Sequence, residues 1–517
     1  MLDVMISSQI ERQLYTADQV RALDARAINQ ADVPGSVLME RAGAAAFRHL
    51  GDEWPNARVI HVICGTGNNG GDGWVIARLA ADSGLQVSLT LIGDEGRIGG
   101  DAKTAYLRFI EAYPQIAIRT ELRLPPDPEA GPAAAPTSDQ VVVDALLGTG
   151  YRGALREAHR SVIARINDAG LPVLAIDCPS GLDASTGSIP EVAVKACLTV
   201  TFIGAKFGLY TGDGVDVVGE IREESLQVPA WVFDDPSPVA ALMSLEHQRA
   251  SLPKLPRSAH KGRRGHVLVV GGDYGFGGAA IMAAEAALRS GAGLVSLATR
   301  TEHLSAMMAR QPEVMVTGVG GAADLRPLLA RASVVAIGPG LGQSEWGQSL
   351  LGAVLDARCP LVVDADGLNL LANSGSELPA GSVMTPHPGE AARLLGVGNA
   401  RIAEDRLATT RALQTQYQAT IVLKGAGSIV IDQDERFAPG VCPYGNPGMG
   451  SGGMGDVLTG VIAALMARGL SAGNAARLGV CAHARAADWI AREVAHVGYV
   501  ATDLMAPIQR LLAGRLD

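Results

Sequence analysis

Aromatic residues are scarce in this chain, whose 517 residues hold only 4% Phe, Trp and Tyr together. Hydrophobic residues nevertheless make up 48%, so the core must be built from Ala, Val, Leu and Ile. That composition suits short aliphatic strands buried on both faces of a parallel sheet. The six cysteines (Cys64, Cys178, Cys197, Cys359, Cys442 and Cys481) are far apart and form no CxxC pair. They read as small buried residues of a reducing compartment. HExxH zinc spacing is absent, and so is a Walker A motif, which disfavours P-loop chemistry. The net charge of −10 comes without a long basic block. A broad nucleic-acid footprint is therefore not expected, although a local cationic pocket for phosphates is compatible with it. No apolar run reaches the roughly 18 residues of a membrane span. The N-terminus carries Asp3, Glu11 and Arg12 around a few apolar residues, not the pattern of a signal peptide. A cytoplasmic enzyme without membrane or nucleic-acid partners is expected.

Glycine, by contrast, is plentiful. The 63 glycines punctuate the ends of aliphatic runs instead of clustering as a linker. The length favours two or three domains. Between residues 12 and 222, helical patterns (Ala17–Asn29, Val37–His49, near Gly73–Ser83) alternate with strands at Arg58–Cys64, Gln86–Ile92, Gln140–Asp144, Pro172–Asp177 and Ala196–Phe202. This predicts a doubly wound α/β domain over 1–224, interrupted by a Pro/Ala-rich loop at 122–138. Periodicity fades over 225–256, where Pro229, Pro236, Pro238, Pro253 and Pro256 mark a junction. A second α/β pattern fills 257–517, with strands at His266–Val270, Gly293–Ala298, Val334–Ile337, Leu361–Asp364, Ser382–Thr385 and Thr420–Leu423. Open sheets of this kind bind ligands at the carboxyl ends of their strands.

In the first half, Cys64-Gly-Thr-Gly-Asn-Asn-Gly-Gly-Asp-Gly73 follows a strand and opens a helix, whose N-terminus offers N–H groups to an anion. Gly65, Gly67 and Gly70 satisfy GxGxxG, and Asp94 ends the next strand, so a dinucleotide-binding dehydrogenase stays open on this evidence. Two later strands end at Asp144, before Gly148-Thr-Gly150, and at Asp177, before Pro179-Ser-Gly181. Either aspartate could equally cap a turn. Together with Leu38-Met-Glu-Arg-Ala-Gly43, these segments resemble the NAD(P)H-hydrate epimerase domain, a Rossmann-like α/β/α fold. The resemblance implies that Asn68, Asn69, Gly70, Gly71 and Asp72 bind the hydrated dinucleotide, as do Gly148, Thr149, Gly150, Tyr151, Arg152, Gly153 and Ala154. It also implies that Asp177 lies against the damaged ring and that Asn69, Asp144 and Ser180 help hold K+. An oxygen-rich set with one carboxylate suits a hard monovalent cation. Asp177 is the candidate general acid/base, and its neighbour Cys178 is read as structural.

The second half carries Asn446-Pro-Gly-Met-Gly-Ser-Gly-Gly-Met-Gly-Asp-Val-Leu-Thr-Gly460, followed by an apolar helical run. Gly452, Gly453 and Gly455 expose successive N–H groups where the helix begins, making an anion hole with Asp456 at its edge. This arrangement resembles the ribokinase-like α/β/α fold, in which such an aspartate deprotonates the hydroxyl that attacks a nucleotide's terminal phosphate. Gly338-Pro-Gly-Leu-Gly342, Asp364-Ala-Asp-Gly-Leu-Asn369, Thr385-Pro-His-Pro-Gly-Glu390 and Lys424-Gly-Ala-Gly-Ser428 each follow a strand. In this order they resemble the NAD(P)H-hydrate dehydratase family over roughly 255–512. The resemblance places Ala280, Gly342, His387 and Asp456 against the hydrate, and Lys424, Gly425, Ala426, Gly427, Ser428 and Gly455 against the adenine nucleotide. Taken alone, His387 would be a satisfied turn histidine. Implied partners are NADHX, NADPHX, Mg2+ and ADP. ATP replaces ADP in eukaryotic members, and the lack of a targeting pattern favours ADP here. Homo-oligomers are implied as well.

The chain thus reads as an epimerase fused to a dehydratase. A ribokinase-type small-molecule kinase with a non-catalytic N-terminal binding domain is the alternative, since both would phosphorylate a hydroxyl.

Overall fold

In a computed structural model describing residues 12–124, 139–433 and 436–516, the aliphatic runs become strands of two separate parallel sheets. The acidic residues near the N-terminus (Asp3, Glu11) and most of the Pro/Ala-rich 122–138 stretch lie outside the described residues. Two compact units result, one of Gln13–Val239 and the other from Ala240 onward.

In the first unit the strands are β1 (Val59–Cys64), β2 (Gln86–Leu91), β3 (Ile118–Arg119), β4 (Gln140–Ala145), β5 (Val173–Ile176), β6 (Leu198–Phe202) and β7 (Glu220–Glu224). Their order across the sheet is β3-β2-β1-β4-β5-β6-β7, every pair parallel. That is the doubly wound arrangement, with a topological switch between β1 and β4. Helices α1 (Ala17–Gln30), α2 (Gly35–Glu53), α3 (Asn68–Asp82), α4 (Gly100–Ala112) and α5 (Glu157–Asp168) complete the layers. One aromatic cluster lies between α3 and α4, where Trp74 meets Tyr106 edge-on at 5.0 Å and Phe109 at 5.6 Å. The two short edge strands β3 and β7 escape prediction because their residues are largely exposed and lack an aliphatic run.

Helix α3 corrects one expectation. It begins at Asn68, not near Gly73, so the glycine-rich segment is its first turn and a half. Glycine is a poor helix former, but here packing overrides propensity. A Cβ on Gly70 would lie 2.0 Å from the Gly65 carbonyl oxygen, one on Gly71 would strike Met39, and one on Gly73 would strike Ala145 and Cys64. The helix start is pressed so closely against the Gly65 turn, the neighbouring helices and the sheet that a side chain at these positions must displace something.

The second unit repeats the opening order. Its strands are β8 (His266–Val270), β9 (Leu294–Thr299), β10 (Met315–Gly318), β11 (Val334–Ile337), β12 (Leu361–Val363), β13 (Val383–Met384), β14 (Thr420–Leu423), β15 (Ile429–Ile431) and β16 (Gly440–Val441). They run β10-β9-β8-β11-β12-β13-β14-β15-β16, parallel as far as β14 and antiparallel through β15 and β16. The stretch expected to be an irregular junction contributes a short strand, Ala240–Leu242, parallel to β16, and a one-turn helix, Leu245–Arg249. Among its helices are α6 (Gly277–Arg289), α7 (Pro388–Leu395), α8 (Met454–Ala467) and α9 (Ala472–Val494). Helix α8 is buried almost all round, as expected for a helix apolar on every face.

Helices α6 and α8 touch backbone to backbone: a Cβ on Gly460 would sit 2.1 Å from the Ala283 carbonyl oxygen. Gly460→Ala must push them apart, so a loss of about 1–3 kcal/mol is expected from overpacking. Chemical denaturation checks this, and an unchanged midpoint would show that the helix pair can separate freely.

Candidate active sites

Both units place polar residues at the carboxyl ends of strands flanking the switch. In the first, β1 and β4 lead into loops so close that a Cβ on Gly65 would lie 2.1 Å from the Leu146 carbonyl oxygen. The cleft that opens beyond them has a volume of about 640 Å3, in the range of small-molecule sites.

Most of the expected binding residues line it: Asn68, Asn69 and Asp72 from α3, and Gly148, Thr149, Gly150, Tyr151, Arg152 and Ala154 from the loop after β4. Gly70 and Gly71 do not. They are packing glycines, as described above. Gly153 is also outside the lining, and its carbonyl accepts a hydrogen bond from the Tyr151 hydroxyl at 2.6 Å. Arg152 is ion-paired with Asp18. Asp94 also lines the cleft and caps a 3-10 turn by accepting from the Gly96 N–H.

Asp177 stands at the end of β5 with φ +68°, a left-handed conformation that costs a non-glycine residue roughly 1–2 kcal/mol. The turn aims its carboxylate into the cleft, where it is ion-paired with Lys206. Lys206 is completely buried and also donates to Thr201 Oγ1 and the Phe202 carbonyl, each at 2.9 Å. Sequence reasoning missed this lysine. The available signal was its rarity: it is one of only six lysines and is embedded in the apolar run Phe202-Ile-Gly-Ala-Lys-Phe-Gly-Leu209. Asp24, from α1, and Asp72 face the same charges. Burial pushes Asp24 up to about 6, with Lys206 pulling down and Asp177 pushing up. Burial, and then the charges of Asp177 and Asp24, raise Asp72 well above the usual carboxylate range. Cys178 turns away into an apolar cluster with Leu182, Leu209 and Val217, as a structural residue would.

Beneath the cleft, Asp144 accepts from the Ser180 N–H at 2.8 Å, the Ser180 hydroxyl at 2.6 Å and the Leu146 N–H at 3.2 Å. Burial still pushes it up to about 6. Asn69 donates to the Leu147 carbonyl at 2.9 Å, but its own Oδ1 is buried without a partner. An orphaned buried oxygen is costly. With Asp144, Ser180 and the Leu147 carbonyl it makes an all-oxygen donor set. Among the described residues, no group of three or more His, Cys, Asp or Glu gathers in the manner of a transition-metal site.

The second site is organised by another buried ion pair. Asp364, which ends β12, receives the Lys424 ammonium at 2.6 Å and the Thr459 hydroxyl at 2.8 Å. These bonds, Lys424 foremost, hold Asp364 below the usual carboxylate range despite its burial. Helix α8 begins beside them. Its first internal hydrogen bond runs from the Val457 N–H to the Gly453 carbonyl at 3.0 Å, leaving the preceding N–H groups without intrahelical acceptors. A Cβ on Gly452 would meet nothing, so open space lies before that turn. Gly455 sits over the Lys424 ammonium, 3.1 Å from a Cβ built on it. Burial, with Asp364 adding and Lys424 opposing, pushes Asp456 up to about 7. That value suits a group that must take a proton near neutrality.

The remaining predicted residues divide. His387 caps α7: its Nδ1 accepts from the Gly389 N–H at 3.0 Å, and its Nε2 lies 3.4 Å from Glu390 Oε1. It is thus satisfied as a turn residue, yet remains half exposed. Burial and the charges of Lys424 and Arg393 lower its pKa. Glu390, 3.9 Å from Lys424, is pushed up by burial to about 7. The Gly342 N–H donates to Asp366 Oδ2 at 3.0 Å, which ties two motifs together. Ala280 is completely buried, with its methyl group under the Gly271–Gly272 turn, so it shapes that turn and offers no exposed surface. Lys424, Gly425, Ala426, Gly427 and Ser428 form the turn between β14 and β15, closed by a Ser428 hydroxyl bond to the Gly425 carbonyl at 2.9 Å.

Lys424→Met strands the Asp364 charge, for an expected loss of roughly 3–5 kcal/mol at neutral pH. In the parent protein the depressed Asp364 contributes stability above the ordinary carboxylate pKa and loses it as pH falls. In the variant Asp364 is raised, so its penalty disappears in acid. The stability gap between the two should therefore narrow below about pH 4. Urea titrations across pH measure it, and a gap independent of pH would contradict the pairing.

Comparison with known proteins identifies the family. The family model for NAD(P)H-hydrate dehydratase matches residues 267–510, and that for the YjeF-related protein N-terminus matches residues 35–208. The bifunctional NAD(P)H-hydrate repair enzyme Nnr of Coxiella burnetii is 45% identical over 96% of this chain and 99% of its own length. That of Escherichia coli is 41% identical over 97% and 94%. Among solved structures, an ADP/ATP-dependent NAD(P)H-hydrate dehydratase from Bacillus subtilis, co-crystallised with ATP and Mg2+, is 29% identical. It covers 52% of this chain and 97% of its own, with a TM-score of 0.47. At these identities over nearly the whole length, the chain belongs to the family of bifunctional NAD(P)H-hydrate repair enzymes.

Proposed function

We propose that the first unit interconverts the R and S hydrates of NADH and NADPH, and that the second dehydrates the S epimer at the expense of ADP. The observation that carries the second activity is Asp456 at the open first turn of α8, beside the buried Lys424–Asp364 pair. Hydroxide is a poor leaving group. Asp456 takes the proton of the C6 hydroxyl as its oxygen attacks the nucleotide's terminal phosphate. The N–H groups of Gly452 to Gly455 receive the developing phosphate charge, as a helix N-terminus does for anions. Lys424 lies at the edge of the same turn and adds a fixed positive charge. Phosphate then leaves with its bonding electrons, and the ring nitrogen's lone pair restores the dihydronicotinamide once a proton is lost. Mg2+ would enter with the nucleotide, held chiefly by its phosphates with the Asp456 and Glu390 carboxylates nearby, and would supply charge neutralisation.

In the first unit, Asp177 is the acid/base at C6 and Lys206 fixes its position. The orphaned Asn69 oxygen, Asp144, Ser180 and the Leu147 carbonyl suit K+, whose charge would complete the loop that carries Gly148 to Ala154.

Two variants separate the activities. With NADH hydrate and ADP, absorbance at the NADH wavelength should recover. Asp456→Asn should slow that recovery by ~10²-fold or more while epimers still interconvert. Asp177→Asn should leave the S epimer repairable and the R epimer stranded. Phosphorylation of a hydroxymethylpyrimidine with no NADH recovery would instead favour the small-molecule kinase. For the cation, the melting temperature should rise in KCl over equimolar LiCl, and Asn69→Ala should abolish the difference. Equal melting in both salts would remove K+ from the assignment.

A further inference from the structure

Epimerisation sets a geometric problem that one carboxylate does not solve. The hydroxyl leaves from one face of the ring and returns to the other, so an acid/base group is needed on each side. On α1, Val20, Asp24 and Ile28 follow one another at intervals of four residues, and all three line the cleft. Asp24 is thus a carboxyl held between two apolar neighbours and turned toward the substrate space. It makes no hydrogen bond or ion pair with any described residue. Arg21, on the same helix, goes to Asp18 and to the Thr149 carbonyl instead. A carboxyl left unpaired in a half-buried position is unfavourable for stability alone. The charged groups around it are Lys206 and Asp177 from the strand ends, Asp72 from α3 and Arg21 from α1. Burial, with the neighbouring carboxylates, raises both Asp24 and Asp72, which favours holding a proton there.

We propose that Asp24 is the second acid/base residue of the epimerase, working with Asp177 from a different element of the cleft. This rests on the epimerase reading of the first unit. The C6–O bond breaks with its electrons on oxygen, and the departing hydroxide takes the proton of one carboxyl and becomes water. The ring nitrogen's lone pair forms a C=N bond in the same step. Water then attacks C6 from the opposite face, the C=N electrons return to nitrogen, and the other carboxylate takes the released proton. Only configuration has changed, and one proton has passed between the carboxyls. Turnover in the reverse direction, or exchange with solvent, returns it.

The experiment follows interconversion of the two NADH hydrate epimers by the full-length chain without ADP, from about pH 5 to 8. A pair that works with one proton between them gives the parent protein a bell-shaped kcat/KM profile. Asp24→Asn should lower kcat by ~10²-fold, remove one limb of the bell and change the Kd for the hydrate only a few-fold. Asp24→Glu should keep more of the rate with the bell displaced. An Asp24→Asn protein with the parent rate and bell overturns the proposal. If that variant fails to bind the hydrate or melts early, Asp24→Glu decides: a displaced bell supports the role, and an unchanged one overturns it. A parent protein that interconverts no epimers would instead sink the epimerase reading, which is a separate result.

Discussion

A buried lysine held against an aspartate at the carboxyl end of a strand organises each site of this protein. In the first unit Lys206 is ion-paired with Asp177, and in the second Lys424 is paired with Asp364 at 2.6 Å. Removing an ammonium and a carboxylate from water is expensive, and their mutual attraction offsets that only when further hydrogen bonds complete the geometry. Both pairs have them. Thr201 and the Phe202 carbonyl serve Lys206, and Thr459 serves Asp364. Burial raises the proton affinity of the carboxyls around each pair, Asp24 and Asp72 in one site and Glu390 and Asp456 in the other, and the charges of the pair modulate it.

The pairs can occupy those positions because glycine lets backbones meet at each topological switch. Gly65 lies against the Leu146 carbonyl in the first unit, and Gly271 against the Pro339 carbonyl in the second, each 2.1 Å from a Cβ built on the glycine. A side chain at either point would separate the first and fourth strands, between which the polar loops converge. The scarcity of aromatic residues belongs to the same design. Small aliphatic side chains let helices such as α6 and α8 approach to backbone contact.

The two sites use the same parts for different tasks. In the second, the raised carboxyl of Asp456 stands at the first turn of α8, whose N–H groups lack intrahelical acceptors, which suits proton removal coupled to phosphate transfer. In the first, several carboxyls share the field of one lysine, which suits moving a proton without net change.

Much was legible in the sequence because it is local. Aliphatic runs bounded by turns placed β8, β11 and β14 to the residue, and the glycine row before Asp456 announced a helix N-terminus. The family-bearing motifs were legible for the same reason, since each is one contiguous segment, in most cases a strand end with its turn. The start of α3 was misplaced because glycine's weak helix propensity is a local property, whereas its packing against Gly65, Met39 and Ala145 is not. The tight packing of Gly70 and Gly71 and the burial of Ala280 were likewise not visible in the motifs that named them. Lys206 and Asp177 are 29 residues apart, Lys424 and Asp364 are 60 apart, and Asp24 lies on a helix with no motif at all. Sequence alone determined which strands would form and which residue types their ends would carry. Only the tertiary structure decided which charges face one another, because proton affinity depends on burial and on neighbours that the chain brings together from a distance.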